Sequence, residues 1–185
     1  MEEFRKAILI VRDPIVLTRT AEDFRWSKLV SGFLKINTDT AIREANNPVG
    51  VGTIIRDSDA KVLVVVAKRM EACYDPLMAE AAAILFGIRV VVERGLLPVV
   101  LESDAKGVVN MINLGSGFCY DIGAILSDIS SLANHVEIPI SCVPMKANEA
   151  THALVKLVFL SFEDSWWHDS CPFCLESIIR SDCFA

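Results

Sequence analysis

The chain has 185 residues, 52% hydrophobic and 23% charged, with 9 Gly, 7 Pro and a formal net charge of -6. A chain of this length buries roughly 70% of its unfolded surface as one domain, and the composition excludes disorder and collagen-like repeats. Apolar runs such as Val62 to Ala67 stop well short of the roughly 20 residues that span a bilayer, and the negative charge gives no global footprint for nucleic acid.

Residues 1–27 carry mixed charge around Pro14 and Trp26 without sustained periodicity, and read as a poorly structured leader, or the remnant of something longer upstream, that need not pack. Arg12, Asp13 and Pro14 interrupt the apolar Ala7 to Val11, which makes a poor secretory signal. Phe33 to Asp39 alternates, with Leu34, Ile36 and Thr38 on one side and Lys35, Asn37 and Asp39 on the other, and Asp39 closes this first strand. Val49 to Arg56 forms a second strand in which Gly50 and Gly52 permit close backbone approach. Lys61 to Lys68 makes a third, and the short connections imply an antiparallel meander.

At Asp75-Pro76 the period changes to that of a helix running to Arg94, because Asp is a good N-cap and Pro is tolerated in the first turn. Its apolar stripe is Leu77, Ala81, Ile84, Leu85, Ile88 and Val92, and Gly95 occupies the place of a left-handed cap. A buried strand follows at Pro98 to Ser103 and ends at Asp104; a helix through Val108, Met111 and Ile112 breaks at Gly115. Asp121 to Ala133 is amphipathic, Ile138 to Val143 is a strand, and Asn148 opens a helix through Leu154, Leu157 and Val158. The order β-β-β-α-β-α-α-β-α predicts an α/β domain over 28–163, a mixed five-stranded sheet covered by helices, followed by a tail over 164–185.

Asp39 and Asp104 fall at the carboxyl ends of strands, the edge where open α/β sheets place ligands. Glu80 lies one turn into the long helix beside the apolar stripe, where a charge needs a partner. Two carboxylates about 4 Å apart repel by roughly 4 kcal/mol at an effective dielectric near 20, so three converging would call for a hard divalent cation. The alternative is that both Asp residues cap turns and Glu80 pairs with a neighbouring Lys.

Asn37-Thr38-Asp39-Thr40, Gly50-Val51-Gly52 with Ile55-Arg56-Asp57, Lys61-Val62-Leu63, Pro76-Leu77-Met78-Ala79-Glu80-Ala81, Glu102-Ser103-Asp104 and Val143-Pro144 with Ala147-Asn148 follow one another in the order of a known pattern. Residues 34–160 resemble the plant ribonuclease H-like domains of reverse-transcriptase-like, retrotransposon-derived proteins. The resemblance implies a ribonuclease H-like fold and a nuclease that cleaves the RNA strand of RNA–DNA hybrids with two Mg2+ ions, Mn2+ being an alternative. It makes Asp39, Glu80 and Asp104 metal ligands, with Asp39 bridging both ions, and puts His152 at the fourth catalytic position, where full ribonucleases H carry Asp. Imidazole prefers softer metals, so this departure weakens a second site, and Thr40 for Gly and Met145 for Arg are further departures. A catalytically weak domain that binds nucleic acid or a protein partner is the second reading. Asn37, Asn110, Lys146 and Asn148 are the expected nucleic-acid contacts, with Lys35, Arg43 and Lys106 as further phosphate contacts.

Six cysteines, at 73, 119, 142, 171, 174 and 183, sit mostly in apolar runs, the usage of a reduced intracellular chain in nucleus or cytoplasm. A monomer without membrane attachment is expected. Cys171 and Cys174 with His168 and Cys183 have the types of a zinc site without the spacing of a paired knuckle, and Trp166 and Trp167 either stack bases or pack against the domain. Neither a Gly-x-Ser-x-Gly elbow nor a Gly-x-x-x-x-Gly-Lys loop occurs.

Overall fold

The computed structural model describes residues 25–43, 48–71, 75–115, 120–160 and 164–184. Strands β1 (Leu34–Ile42), β2 (Val49–Arg56) and β3 (Val62–Met70) form an antiparallel meander in which Asp39 lies opposite Gly52 and Thr53 opposite Val66. Every residue of β2 is buried, as its apolar, glycine-punctuated sequence requires of a strand covered on both faces. Helix α1 (Pro76–Arg94) begins where the Asp75 carboxylate accepts the Met78 N–H at 2.8 Å and ends at Gly95, whose φ of 65° admits the left-handed cap. This long crossover returns the chain to β4 (Val99–Ser103), parallel to β1.

Helices α2 (Lys106–Leu114) and α3 (Tyr120–His135) follow, then β5 (Ile140–Cys142), parallel to β4. A 3-10 turn over Met145–Asn148 leads into α4 (Glu149–Leu157). The last elements are β6 (Ser165–His168), antiparallel to β3, and α5 (Phe173–Asp182). The sheet order is β5-β4-β1-β2-β3-β6. The α/β class and the mixed sheet are those read from the sequence, with six strands in place of five because the stretch set apart as a tail contributes β6. Strand β1 also continues three residues past Asp39, since antiparallel pairing with β2 persists after the parallel partner β4 has ended.

Two apolar layers flank the sheet. Ile36, Ile55, Val64 and Leu101 pack with Ile84, Ile88, Val108, Leu126 and Ile129 beneath α1, α2 and α3. On the other face Ile54, Val65 and Ala67 pack with Leu154, Val158, Leu175 and Ile179 of α4 and α5. Leu77 departs from the expected stripe, 37% exposed at the first turn of α1. Of the expected leader, residues 1–24 lie outside the described residues, and Trp26 is 1% exposed, packed rather than free. Among the described residues no helix is long and apolar enough to cross a membrane.

Candidate active site

Two glycines decide how closely the helices approach β1. A Cβ at Gly52 would stand 2.7 Å from Val155 Cγ1, so its absence lets α4 settle on β2 directly opposite Asp39. A Cβ at Gly87 would stand 2.7 Å from Thr38 Cγ2, so α1 lies equally close on the other face. Glu80, seven residues before Gly87 and therefore on the same stripe of α1, is carried to the Thr40 end of β1.

The side chains of Asp39, Glu80, Asp104, Asn148 and His152 converge around the point where β1 and β4 part. Asp39 is buried; its Oδ1 accepts the Thr40 N–H at 2.8 Å and its Oδ2 lies 3.0 Å from His152 Nδ1, the imidazole remaining partly open to solvent. Asn148, 1% exposed, donates from Nδ2 to the Thr38 carbonyl at 2.9 Å and to Asp104 Oδ1 at 2.7 Å, tying the start of α4 to both strands. Glu80 receives a hydrogen bond from the Thr40 side chain, while its Oε2 is buried without a partner. Thr40, which replaces the glycine of the resembled pattern, thus holds one carboxylate by its N–H and another by its hydroxyl.

The electrostatics record the crowding. Burial, then the charges of Asp39 and Asp104, push the Glu80 carboxyl up to about 7, against the Thr40 hydrogen bond. Burial, then Asp104, raises Asp39 as well, with the Thr40 N–H and His152 acting in the opposite direction. Oxygen donors of this kind suit a hard cation, and the unpartnered Glu80 Oε2 is an atom such an ion would satisfy. Among the described residues, no group of three or more His, Cys, Asp or Glu stands in an arrangement that could hold a metal ion as it is, so the carboxylates would have to draw closer around one. The imidazole at the fourth position occupies Asp39 Oδ2 and offers nitrogen where a second hard ion would need oxygen.

A model of the reverse transcriptase-like family matches residues 37–158, which run from within β1 past the end of α4 and contain all five of these side chains. The chain belongs to the reverse transcriptase-like family. No curated protein matches it in sequence. Among solved structures it is similar to ribonuclease H1 of the archaeon Halobacterium salinarum NRC-1, at a TM-score of 0.63 and 18% identity over 69% of this chain and 98% of that one. It is also similar to the N-terminal ribonuclease H domain of Rv2228c from Mycobacterium tuberculosis, at 0.58 and 21% identity over 66% and 95%. LC11 ribonuclease H1, solved in complex with an RNA/DNA hybrid, matches at 0.58 and 16% identity over 65% and 92%. At such identities the likeness establishes a shared ribonuclease H fold.

The remaining site expectations separate by burial. Asn110, Lys106, Lys146 and Arg43 of this reverse transcriptase-like chain are exposed, and Met145, next to Lys146, is 61% exposed. Asn37 and Lys35 are fully buried, so neither is a surface contact as expected: the face of β1 that carries them is covered, and they bond to Trp26, Arg56 and Glu102. Cys142, Cys171, Cys174 and Cys183 are free thiols, and Cys73 and Cys119 lie outside the described residues. No zinc arrangement forms around Cys171 and Cys174 among the described residues. Trp167 packs against the α4–α5 layer, while Trp166 is 40% exposed with the Arg94 guanidinium 4.6 Å from its ring. The sequence reading overlooked the Thr40 hydroxyl, the buried Glu102 and Arg56, and Asp182. A charged residue inside an otherwise apolar strand, as Arg56 is in β2, was the available signal.

Proposed function

We propose that the domain hydrolyses phosphodiesters in the RNA strand of RNA–DNA hybrids, with Mg2+ or Mn2+ held by Asp39, Glu80 and Asp104. The observation that carries this reading is that Asp39, Glu80 and Asp104 converge closely enough at the end of β1 for their charges to act on one another, with Glu80 Oε2 buried and left unpartnered. The bound ion would neutralise charge at the phosphate and lower the pKa of attacking water. Asp39 and Glu80 are held for it by Thr40, and Asp104 is oriented by Asn148. An ionised Asp39 only accepts, so His152 donates from Nδ1, which leaves Nε2 to accept a proton at the open side of the site. Exposed Lys106, Lys146, Asn110 and Arg43 supply phosphate and sugar contacts. The hybrid as substrate is supported by the LC11 ribonuclease H1 complex, a structural relative bound to that ligand.

The second reading, a domain that binds nucleic acid with little or no turnover, is favoured by the His152 contact that occupies Asp39 Oδ2. Cleavage of a labelled RNA–DNA hybrid in Mg2+ and then Mn2+, beside the Asp39→Asn protein, distinguishes the two. Turnover that disappears in the variant supports the nuclease. Salt-sensitive hybrid binding without turnover in either metal supports the binding domain.

A further inference from the structure

Directly behind the carboxylates, the same strand pair carries a second polar group. Asn37 of β1 lies opposite Glu102 of β4 in the parallel ladder, and Asp39 and Asp104 each follow two residues later. Asn37 Nδ2 donates to Glu102 Oε2 at 3.4 Å, and Lys35 Nζ pairs with Glu102 Oε1 at 2.8 Å. The group is anchored from beyond the strand pair. Asn37 Oδ1 accepts from Arg56 Nη2 at 2.9 Å and from Trp26 Nε1 at 3.1 Å, and Arg56 Nη1 reaches Asp182 Oδ2 at 2.6 Å. The Trp26 ring also has Lys35 Nζ 4.6 Å and the Arg56 guanidinium 4.2 Å from its centroid.

An ion pair at this depth gains little stability over apolar residues of equal volume, but it tolerates misalignment badly, because a displaced partner leaves a buried charge alone. A one-residue slip of β1 against β4 would turn every side chain to the wrong face. A two-residue slip would preserve the faces, and an apolar ladder would accept it. Here a slip one way would set Glu102 against the Asp39 carboxylate and away from Lys35, and a slip the other way would set it opposite Lys35 and break its bond to Asn37. Asp39 and Asp104 each come directly after the last paired step, Thr38 with Ser103, so whatever fixes this register also sets where the two carboxylates leave the ladder.

We infer that Lys35, Asn37 and Glu102 form a register clasp that sets the spacing of Asp39 and Asp104, which makes Asn37 and Glu102 positioning residues for the carboxylate centre. The clasp rests on the metal-binding reading for one of its readouts and has another that is independent of metal. The test uses the full chain. Asn37→Asp keeps the acceptor for Trp26 and Arg56 and turns the Glu102 contact into a repulsion; Glu102→Asp keeps the charge and loses one methylene of reach. The swapped pair, Asn37→Asp with Glu102→Gln, moves the carboxylate across the ladder and again sets a donor opposite an acceptor. Backbone amide resonances of Asp39 and Asp104 and Mn2+ affinity by electron paramagnetic resonance are measured together with Tm.

Each single variant is expected to displace both resonances and weaken Mn2+ binding by roughly 10- to 100-fold, the range for residues that orient metal ligands, with the swapped pair recovering most of the loss. Unmoved resonances in a folded Glu102→Asp chain overturn the clasp, as does a lower Tm with unchanged resonances and affinity. If Asn37→Asp fails to fold, Glu102→Asp decides. If the parent chain takes up no Mn2+, the metal reading falls and the resonances alone decide the clasp.

Discussion

His152 Nδ1 stands 3.0 Å from Asp39 Oδ2, so a helix side chain closes the side of the strand carboxylate that faces α4. The contact joins two residues 113 apart in sequence and exists because Gly52, opposite Asp39, leaves room for α4 to approach.

Replacing that imidazole by a carboxylate reverses the sign of the contact. His152→Asp sets two carboxylates together, a repulsion of roughly 4 kcal/mol at 4 Å and an effective dielectric of 20. The variant is expected to melt several degrees lower than the parent in EDTA and to recover the difference in Mg2+. Thermal unfolding of both proteins with and without the ion checks this, and hybrid cleavage by the variant is expected to exceed that of the parent.

Glu80 gives stability a pH dependence of defined sign. Its carboxyl is raised from an ordinary 4.5 to about 7, so between those values the folded state binds more protons than the unfolded one. The stability linked to this group is fully present below the lower value and is lost as pH rises through the upper one, about 3 kcal/mol as an upper limit because the side chain is partly exposed. Glu80→Gln is therefore expected to raise Tm at pH 8 in EDTA and to change it little at pH 4. Melts of both proteins across that range, without divalent ions, give the comparison.

Gly52→Ala tests the packing that brings His152 to Asp39. The new methyl would meet Val155 Cγ1 at 2.7 Å and force α4 away from β2, an overpacking cost of about 1 to 3 kcal/mol. Urea unfolding should show the loss, and the His152 ring resonances should move toward those of a solvent-exposed imidazole.

Asp182→Ala removes one partner of the buried Arg56 pair at the opposite end of the chain from β1. Leaving the guanidinium with only its Asn37 bond and the Trp26 ring is expected to cost about 3 kcal/mol, the lower part of the range for a broken buried pair. Arg56→Met with Asp182→Leu, which removes both charges, is expected to restore much of that stability in the same denaturation experiment.

The meander, the long helix with its Asp75 and Gly95 caps, and the crossover to β4 were legible because each depends on local signals: alternation, capping and glycine. The nearness of Asp39, Glu80 and Asp104 was legible only through a resemblance, since nothing in spacing brings α1 and β4 to the same end of β1. Lys35 and Asn37 were misplaced for a related reason. Alternation shows that they share a face of β1, but whether that face meets water depends on α4, α5 and Trp26, which are distant in sequence. Strand β6 was missed because four residues containing two tryptophans and a histidine carry too short a pattern to identify a strand.

Among the described residues the sheet ends on both sides in its shortest members, three residues in β5 and four in β6, while the long strands β1, β2 and β3 lie inside the order β5-β4-β1-β2-β3-β6. An incoming strand from another molecule would find only a brief row of free backbone donors and acceptors at either margin, too few to template a ladder. A domain rich in Val and Ile is thereby guarded against lateral strand exchange by the brevity of its outermost strands.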